Sequence, residues 1–395
     1  MSSSKYKITK LACYSTYYTT ASIFCLPPLL FVTFHEMYGV SWTLLGTLVL
    51  TNFLTQITID LVFTFFAKKI NVGLMARLSP LITSLGLFVF ATVPLLFPSH
   101  AYLGLLTGTI IFSVASGLSE VILSPTIAAI PSDNPKRDMG ILHSLYAFGV
   151  FSVVVISTLF ILIFDEKNWA YLTMFFALLP IISSVLFSLS PMPDMSSRDT
   201  PLTPVKSRRR RWGIALCFAC IFLGSCAESV MSSWISSFME TEMHVDKALG
   251  DTLGMAMFAI MLGLTRICYA KWGKSITRTL LIGMIGCAVC YFIAGAVTLK
   301  LPAFIACVLV GVFSSMLWPG TLIMMEEKID GVGVAAFALM ASGGDLGASV
   351  APQLMGIVAD GYGLRAGILV TALFPLVGIF LMLVIIRFFK NESNK

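Results

Sequence analysis

The chain has 395 residues, of which 57% are hydrophobic and only 12% charged, against about 25% charged residues in a soluble domain. Its net charge of +6 comes from basic residues that alternate with apolar stretches instead of forming one patch, which argues against a nucleic-acid surface. The polar loops are too short for a separate extramembrane catalytic domain.

Twelve apolar stretches follow in order, at residues 10–35, 42–67, 76–97, 101–130, 140–164, 169–190, 212–239, 249–271, 279–298, 302–325, 333–358 and 365–388. An apolar run of about 20 residues is long enough to cross a bilayer core as a helix. The pattern predicts an all-α integral membrane protein, its twelve transmembrane helices forming two pseudo-symmetric six-helix bundles. The bundles are expected over residues 1–190 and 212–395, joined by a basic linker, 191–211, that ends in Arg208, Arg209, Arg210 and Arg211. With the amino terminus inside, 21 lysines and arginines face the cytoplasm and four face out. This asymmetry predicts a plasma membrane protein with both termini cytoplasmic. The first span is longer than a signal-peptide core and lacks a small-residue cleavage site, so it is expected to stay in the mature protein.

All nine cysteines fall within spans. Cys217 and Cys220 have CxxC spacing, but no second ligand pair stands near them, so reduced buried thiols are expected and no metal site is assigned. The halves match weakly in corresponding places: Pro125 precedes Gly140 by 15 residues and Pro319 precedes Gly333 by 14. Such internal repeats are common in transporters. A proline inside a spanning helix removes a backbone hydrogen bond, giving a kink or a carbonyl free to face a cavity.

Polar groups at membrane depth carry the functional reading, because each is costly there unless it meets a partner or water. On the second span Asn52, Gln56 and Asp60 recur every four residues, the two amides suiting a polar neutral ligand and Asp60 a cytoplasmic gate. Glu120 lies 11 residues before Pro131, hence about 16 Å along its helix and near the midplane. Reversible protonation there makes it the leading proton carrier, the alternative being a glutamate that only ties helices together. His143 and Tyr146 follow on the fifth span, where each can hydrogen-bond a ligand hydroxyl or simply pack. On the seventh, Ser225, Glu228, Ser232 and Ser236 share one helical face, so Glu228 is the second proton-coupling candidate. Trp234 beside that stripe is expected to stack on a sugar ring or to anchor the helix at the interface. Arg266 is the one basic residue inside a span and needs a carboxylate. Asp345 is the first choice and Asp60 the second, as a gating latch or a static bridge.

The segment Gly117 Leu118 Ser119 Glu120 with Ser124 Pro125, then Leu142 His143 and Phe148 Gly149, resembles the fucose permease branch of the major facilitator superfamily. The stretch Glu228 to Trp234, Gly250 Asp251 and the run Pro352 to Asp360 are similar to the same group. This resemblance implies a proton-linked monosaccharide symporter of a bacterial cytoplasmic membrane with a rocker-switch cycle, Glu120 in proton coupling and His143 reaching the sugar. The chain departs from that branch in the first helix, where Ser22 Ile23 Phe24 Cys25 Leu26 Pro27 contains no acid, and at Ser124, where the branch has asparagine. Glu228 then takes the place of the missing acid.

The reading is therefore a carrier, not an enzyme, that moves a small sugar-like or polyol solute with protons. Asn52, Gln56, Glu120, His143, Tyr146, Glu228 and Trp234 are the expected substrate contacts, and Asp60, Arg266 and Asp345 the gate. No cofactor, metal, nucleic acid or obligate protein partner is expected besides the solute, protons and the lipid bilayer. Two alternatives stay open: a proton-coupled exporter of lipophilic or cationic compounds, and a nutrient sensor that binds without transport.

Overall fold

The computed structural model describes residues 3–66, 71–133, 135–193, 208–329 and 334–390, and within these every regular element is helical. Counting each broken helix once gives twelve rods among the described residues. They are α1 (Lys7–Leu29 and Phe31–Tyr38), α2 (Trp42–Phe66), α3 (Val72–Leu96), α4 (Ala101–Ala129), α5 (Pro135–Phe164) and α6 (Trp169–Ser188). After them come α7 (Arg208–Met243), α8 (Lys247–Trp272, with a π-helical stretch Gly250–Ala256), α9 (Ile276–Ala296), α10 (Lys300–Ser314 and Leu317–Lys328), α11 (Val334–Tyr362) and α12 (Leu364–Thr371 and Leu373–Lys390). Nine of the rods are long and apolar enough to cross a membrane, ten if the two parts of α1 count together. The other two are α5, whose described apolar part is Phe148–Phe164, and α11, which carries Gly343, Gly344 and Asp345.

The breaks have local causes. Pro27 and Pro28 remove two intrahelical donors, and the two parts of α1 meet at 48°. Ser315 and Met316 interrupt α10 just before Pro319, which cannot donate to the carbonyl four residues back, that of Ser315. Asn71 accepts from the Leu74 amide and caps α3. Outward faces keep large apolar side chains such as Leu85, Leu162, Ile163 and Phe380 exposed, as a hydrocarbon solvent permits.

The described residues divide into two compact units, one of Met1–Val40 and Thr51–Asp199, the other of Ser41–Leu50 and Thr200–Lys395. In the first, α1 packs on α5 and α6, and α3 on α4 and α6. In the second, α7 packs on α11 and α12, and α9 on α10 and α12, so the same pairings recur six rods later. Small side chains make these crossings close. A Cβ on Gly86 would sit 2.5 Å from the Phe112 nitrogen, and one on Gly108 would sit 2.6 Å from the Phe90 Cα. Hydroxyls tie the helices further: the Ser79 Oγ lies 2.7 Å from that of Ser119, Ser84 donates to the Ala177 carbonyl at 2.6 Å, and Tyr291 donates to that of Ala227 at 2.6 Å.

The Ser41–Leu50 segment belongs by packing to the second unit, where it lies on α11. Asp360, past the predicted end of its span, accepts from the backbone amides of Trp42 at 2.7 Å and Thr43 at 2.8 Å. A carboxylate there meets the positive end of the α2 dipole and its unpaired amides. Burial pushes the Asp360 carboxyl up, but the hydrogen bonds from Thr43, Trp42 and Ser41 outweigh it and leave its pKa below the ordinary value. The contact rests on two glycines: a Cβ on Gly356 would meet the Trp42 carbonyl at 2.4 Å, and one on Gly46 would lie 3.0 Å from Gln353 Cα.

Candidate functional site

In the second unit the stripe on α7 places Glu228 opposite Arg266 of α8. Their side chains pair at 3.4 Å between Oε1 and Nη2. The Arg266 Nε donates to the Ser315 carbonyl at 2.8 Å, and this is the carbonyl that Pro319 deprives of its helical donor. The expectation that Asp345 or Asp60 would hold Arg266 is thus corrected. The packing of α7 against α8 brings Glu228 within reach of Arg266 instead. Asp345 itself is 5% exposed on α11. The second carboxylate oxygen of Glu228, Oε2, is buried without a hydrogen-bond partner, while the side chains of Glu228 and Arg266 remain 26% and 42% exposed.

Ser225 and Ser236 on the same stripe are buried. Ser236 donates to Asp251, a fully buried carboxylate within the π-helical stretch of α8. The sequence reading noticed Asp251 only as part of a family motif, because it stands at the start of its span. Its pairing with the serine stripe is a contact between α7 and α8 that the chain order alone does not show. Trp234 is fully buried, and its ring meets that of Trp42 edge to face with centroids 6.0 Å apart. No face of the indole is left open.

In the first unit a carboxylate oxygen of Asp60 on α2 and one of Glu120 on α4 lie within 4.8 Å, close enough for the two charges to repel when both are ionised. Glu120 is exposed. Beside it Tyr17 of α1 is close enough to feel its charge. The Tyr17 ring stands 6.3 Å from that of Tyr146 on α5, Phe24 stands 5.9 Å from Tyr146, and Phe53 lies 5.8 Å from Phe24. All four rings are half-buried. Tyr17 and Phe24 escaped the sequence reading, although their seven-residue separation puts them on one helical face. The side chain of His143 lies outside the described residues.

Asn52 and Gln56 turn to α4 instead of toward this cluster. Ser113 donates to the Asn52 Oδ1 at 2.6 Å, Ser116 donates to the Gln56 Oε1 at 3.0 Å, and the Gln56 amide donates to the Asn52 Oδ1 at 3.1 Å. Both side chains are buried, at 6% and 2% exposure. Among the cysteines, Cys217 and Cys220 are buried free thiols.

A model of the Major Facilitator Superfamily matches residues 12–335. No curated protein sequence matches the chain. Among solved structures the chain is similar to a D-xylose–proton symporter, with a TM-score of 0.76 at 12% identity, covering 97% of this chain and 98% of that one. It is also similar to a bacterial homologue of the human lysosomal transporter Spinster, at 0.74, 14% identity and 99% of both chains. A third is the transporter FucP in its outward conformation, at 0.61 and 14% identity, covering 96% of this chain and 99% of that one. At these identities the likeness is one of fold.

Proposed function

The chain belongs to the Major Facilitator Superfamily, and from that premise we propose that this multi-pass membrane transporter moves a small sugar-like or polyol solute by proton-coupled symport. The observation that carries this reading is the exposed Glu120, beside Asp60 and next to half-buried aromatic rings of α1, α2 and α5. A carboxylate supplies a proton site, and aromatic faces suit the apolar face of a hydroxylated ring. Glu120 is the principal proton carrier and Glu228 the second, with Tyr146 and His143 as ligand contacts. Asp60 belongs with the Glu120 proton site, and Asp345 is retained as a gating residue. Arg266 joins Glu228 in place of the gate first assigned to it. The similarity to a D-xylose–proton symporter is in keeping with a sugar and a proton. The basic-residue asymmetry supports a plasma membrane location with both termini in the cytoplasm.

Uptake of labelled monosaccharides and polyols into proteoliposomes, with and without an inward proton gradient, tests the reading. Gradient-driven accumulation that Glu120→Gln abolishes, with exchange of solute preserved, supports it. Competition by lipophilic cations and none by sugars would favour the exporter. Binding without movement would favour the sensor.

A further inference from the structure

The Glu228–Arg266 pair has the build of an exchangeable anion site. Ile260, Leu264 and Ile267 form the exposed apolar stripe of α8. Arg266 lies about 120° round the helix from Ile260 and about 100° from Ile267 at 3.6 residues per turn, so its exposed part is turned away from the middle of the lipid-facing stripe. The guanidinium is held unevenly. Its Nε is fixed on the proline-freed Ser315 carbonyl at 2.8 Å, whereas among the described residues its carboxylate contact is a single one of 3.4 Å from Nη2. Among the described residues only Nε and Nη2 make hydrogen bonds, although guanidinium recognises a carboxylate best through two parallel N–H donors.

Resting on the symport reading above, we propose that Arg266 binds the carboxylate of the transported solute, and that for such a solute the coupled proton goes to Glu228 in place of Glu120. The substrate class is then a small hydroxylated monocarboxylate, such as a sugar acid. With Glu228 ionised, its Oε1 occupies Nη2. When a proton adds to Glu228, the acid no longer holds the guanidinium as a counter-ion, and Nη1 and Nη2 together meet the two oxygens of the solute. Ser315 keeps the arginine in place throughout. The charge count selects the class: one proton on Glu228 leaves one positive charge, which one carboxylate neutralises. A phosphate monoester, with a charge near −1.5 to −2 at neutral pH, would leave excess negative charge. Proton and monoanion cross together without net charge. The titratable groups that face Glu228 are Arg266 of α8 and the Cys287 thiol of α9, with the Tyr291 hydroxyl of α9 committed to the Ala227 carbonyl.

The test uses the full-length protein in proteoliposomes under an inward proton gradient, with labelled gluconate, glucuronate and lactate against glucose, glycerol and glucose 6-phosphate. The proposal expects at least one carboxylate to accumulate regardless of an imposed membrane potential. Arg266→Gln should lower that uptake at least about tenfold, since one charge-assisted hydrogen bond alone is worth that much and two are lost. Glu228→Gln should keep carboxylate exchange and lose gradient-driven accumulation. In detergent, the same carboxylate should raise the Tm of the wild-type and Glu228→Gln proteins but not of Arg266→Gln, which separates lost binding from lost folding. Proton-driven uptake of glucose that survives Arg266→Gln, or uptake of glucose 6-phosphate alone, overturns this inference and leaves the symporter standing. If no carboxylate either accumulates or shifts the Tm, the inference fails. If none of the six solutes moves under any gradient, the symport reading falls with it.

Discussion

The guanidinium of Arg266 lies 3.4 Å from the carboxylate of Glu228, with its Nε on the Ser315 carbonyl. Both partners are part-exposed, so the pair should be worth less than the 3–5 kcal/mol, roughly, lost when a fully buried pair is broken. Arg266→Ala, which leaves the buried Oε2 side of Glu228 without any nearby cation, should cost about 1–3 kcal/mol. A fall in Tm of a few degrees in detergent checks this. The double variant Arg266→Ala with Glu228→Gln should recover part of the loss, because the stranded charge is gone.

Asn52 and Gln56 act as ties between α2 and α4 through Ser113 and Ser116. Asn52→Ala should therefore reduce stability by roughly 0.5–2 kcal/mol, the range for interhelical hydrogen bonds in membranes. Its solute KM should stay within about twofold of wild type, since uniform binding is not removed. A large rise in KM at unchanged Tm would return Asn52 to the ligand.

At the start of α2, Gly356→Ala would place a methyl group 2.4 Å from the Trp42 carbonyl. Overpacking of this kind costs about 1–3 kcal/mol. Thermal unfolding of Gly356→Ala should show the loss, and Ala351→Gly on the same helix, which forces no such approach, should show only the smaller penalty of a helix glycine, about 1 kcal/mol.

Asp360 supplies a pH-dependent part of that contact. Its folded pKa lies below the ordinary value, so its contribution is fully present above the unfolded pKa of about 4. It is lost as pH falls through the lower folded value. The Tm gap between wild type and Asp360→Asn should thus be widest near neutrality and close in acid. A gap that widened as pH fell would reverse the sign and refute the assignment.

Much of this was legible from the chain. Helices α4 and α6 start at residues 101 and 169, where the apolar stretches begin, because lipid demands long uninterrupted runs whose ends are marked by polar loops. Pro319 announced a freed carbonyl, yet only the packing of α8 beside α10 shows that Arg266 takes it. Trp234 illustrates the opposite case. A tryptophan near a helix end reads equally as an anchor or a ligand platform, and its burial against Trp42, 192 residues earlier in the chain, is set by a contact with no local signal.

The most direct test of the central claim is proton movement itself. Proteoliposomes containing a trapped pH indicator should acidify inside when a transported sugar, polyol or sugar acid is added outside, in step with solute entry. Glu120→Gln should remove that acidification for a sugar or polyol, and Glu228→Gln should remove it for a sugar acid, while solute exchange persists in each. Solute entry at the wild-type rate with no accompanying proton would contradict the account.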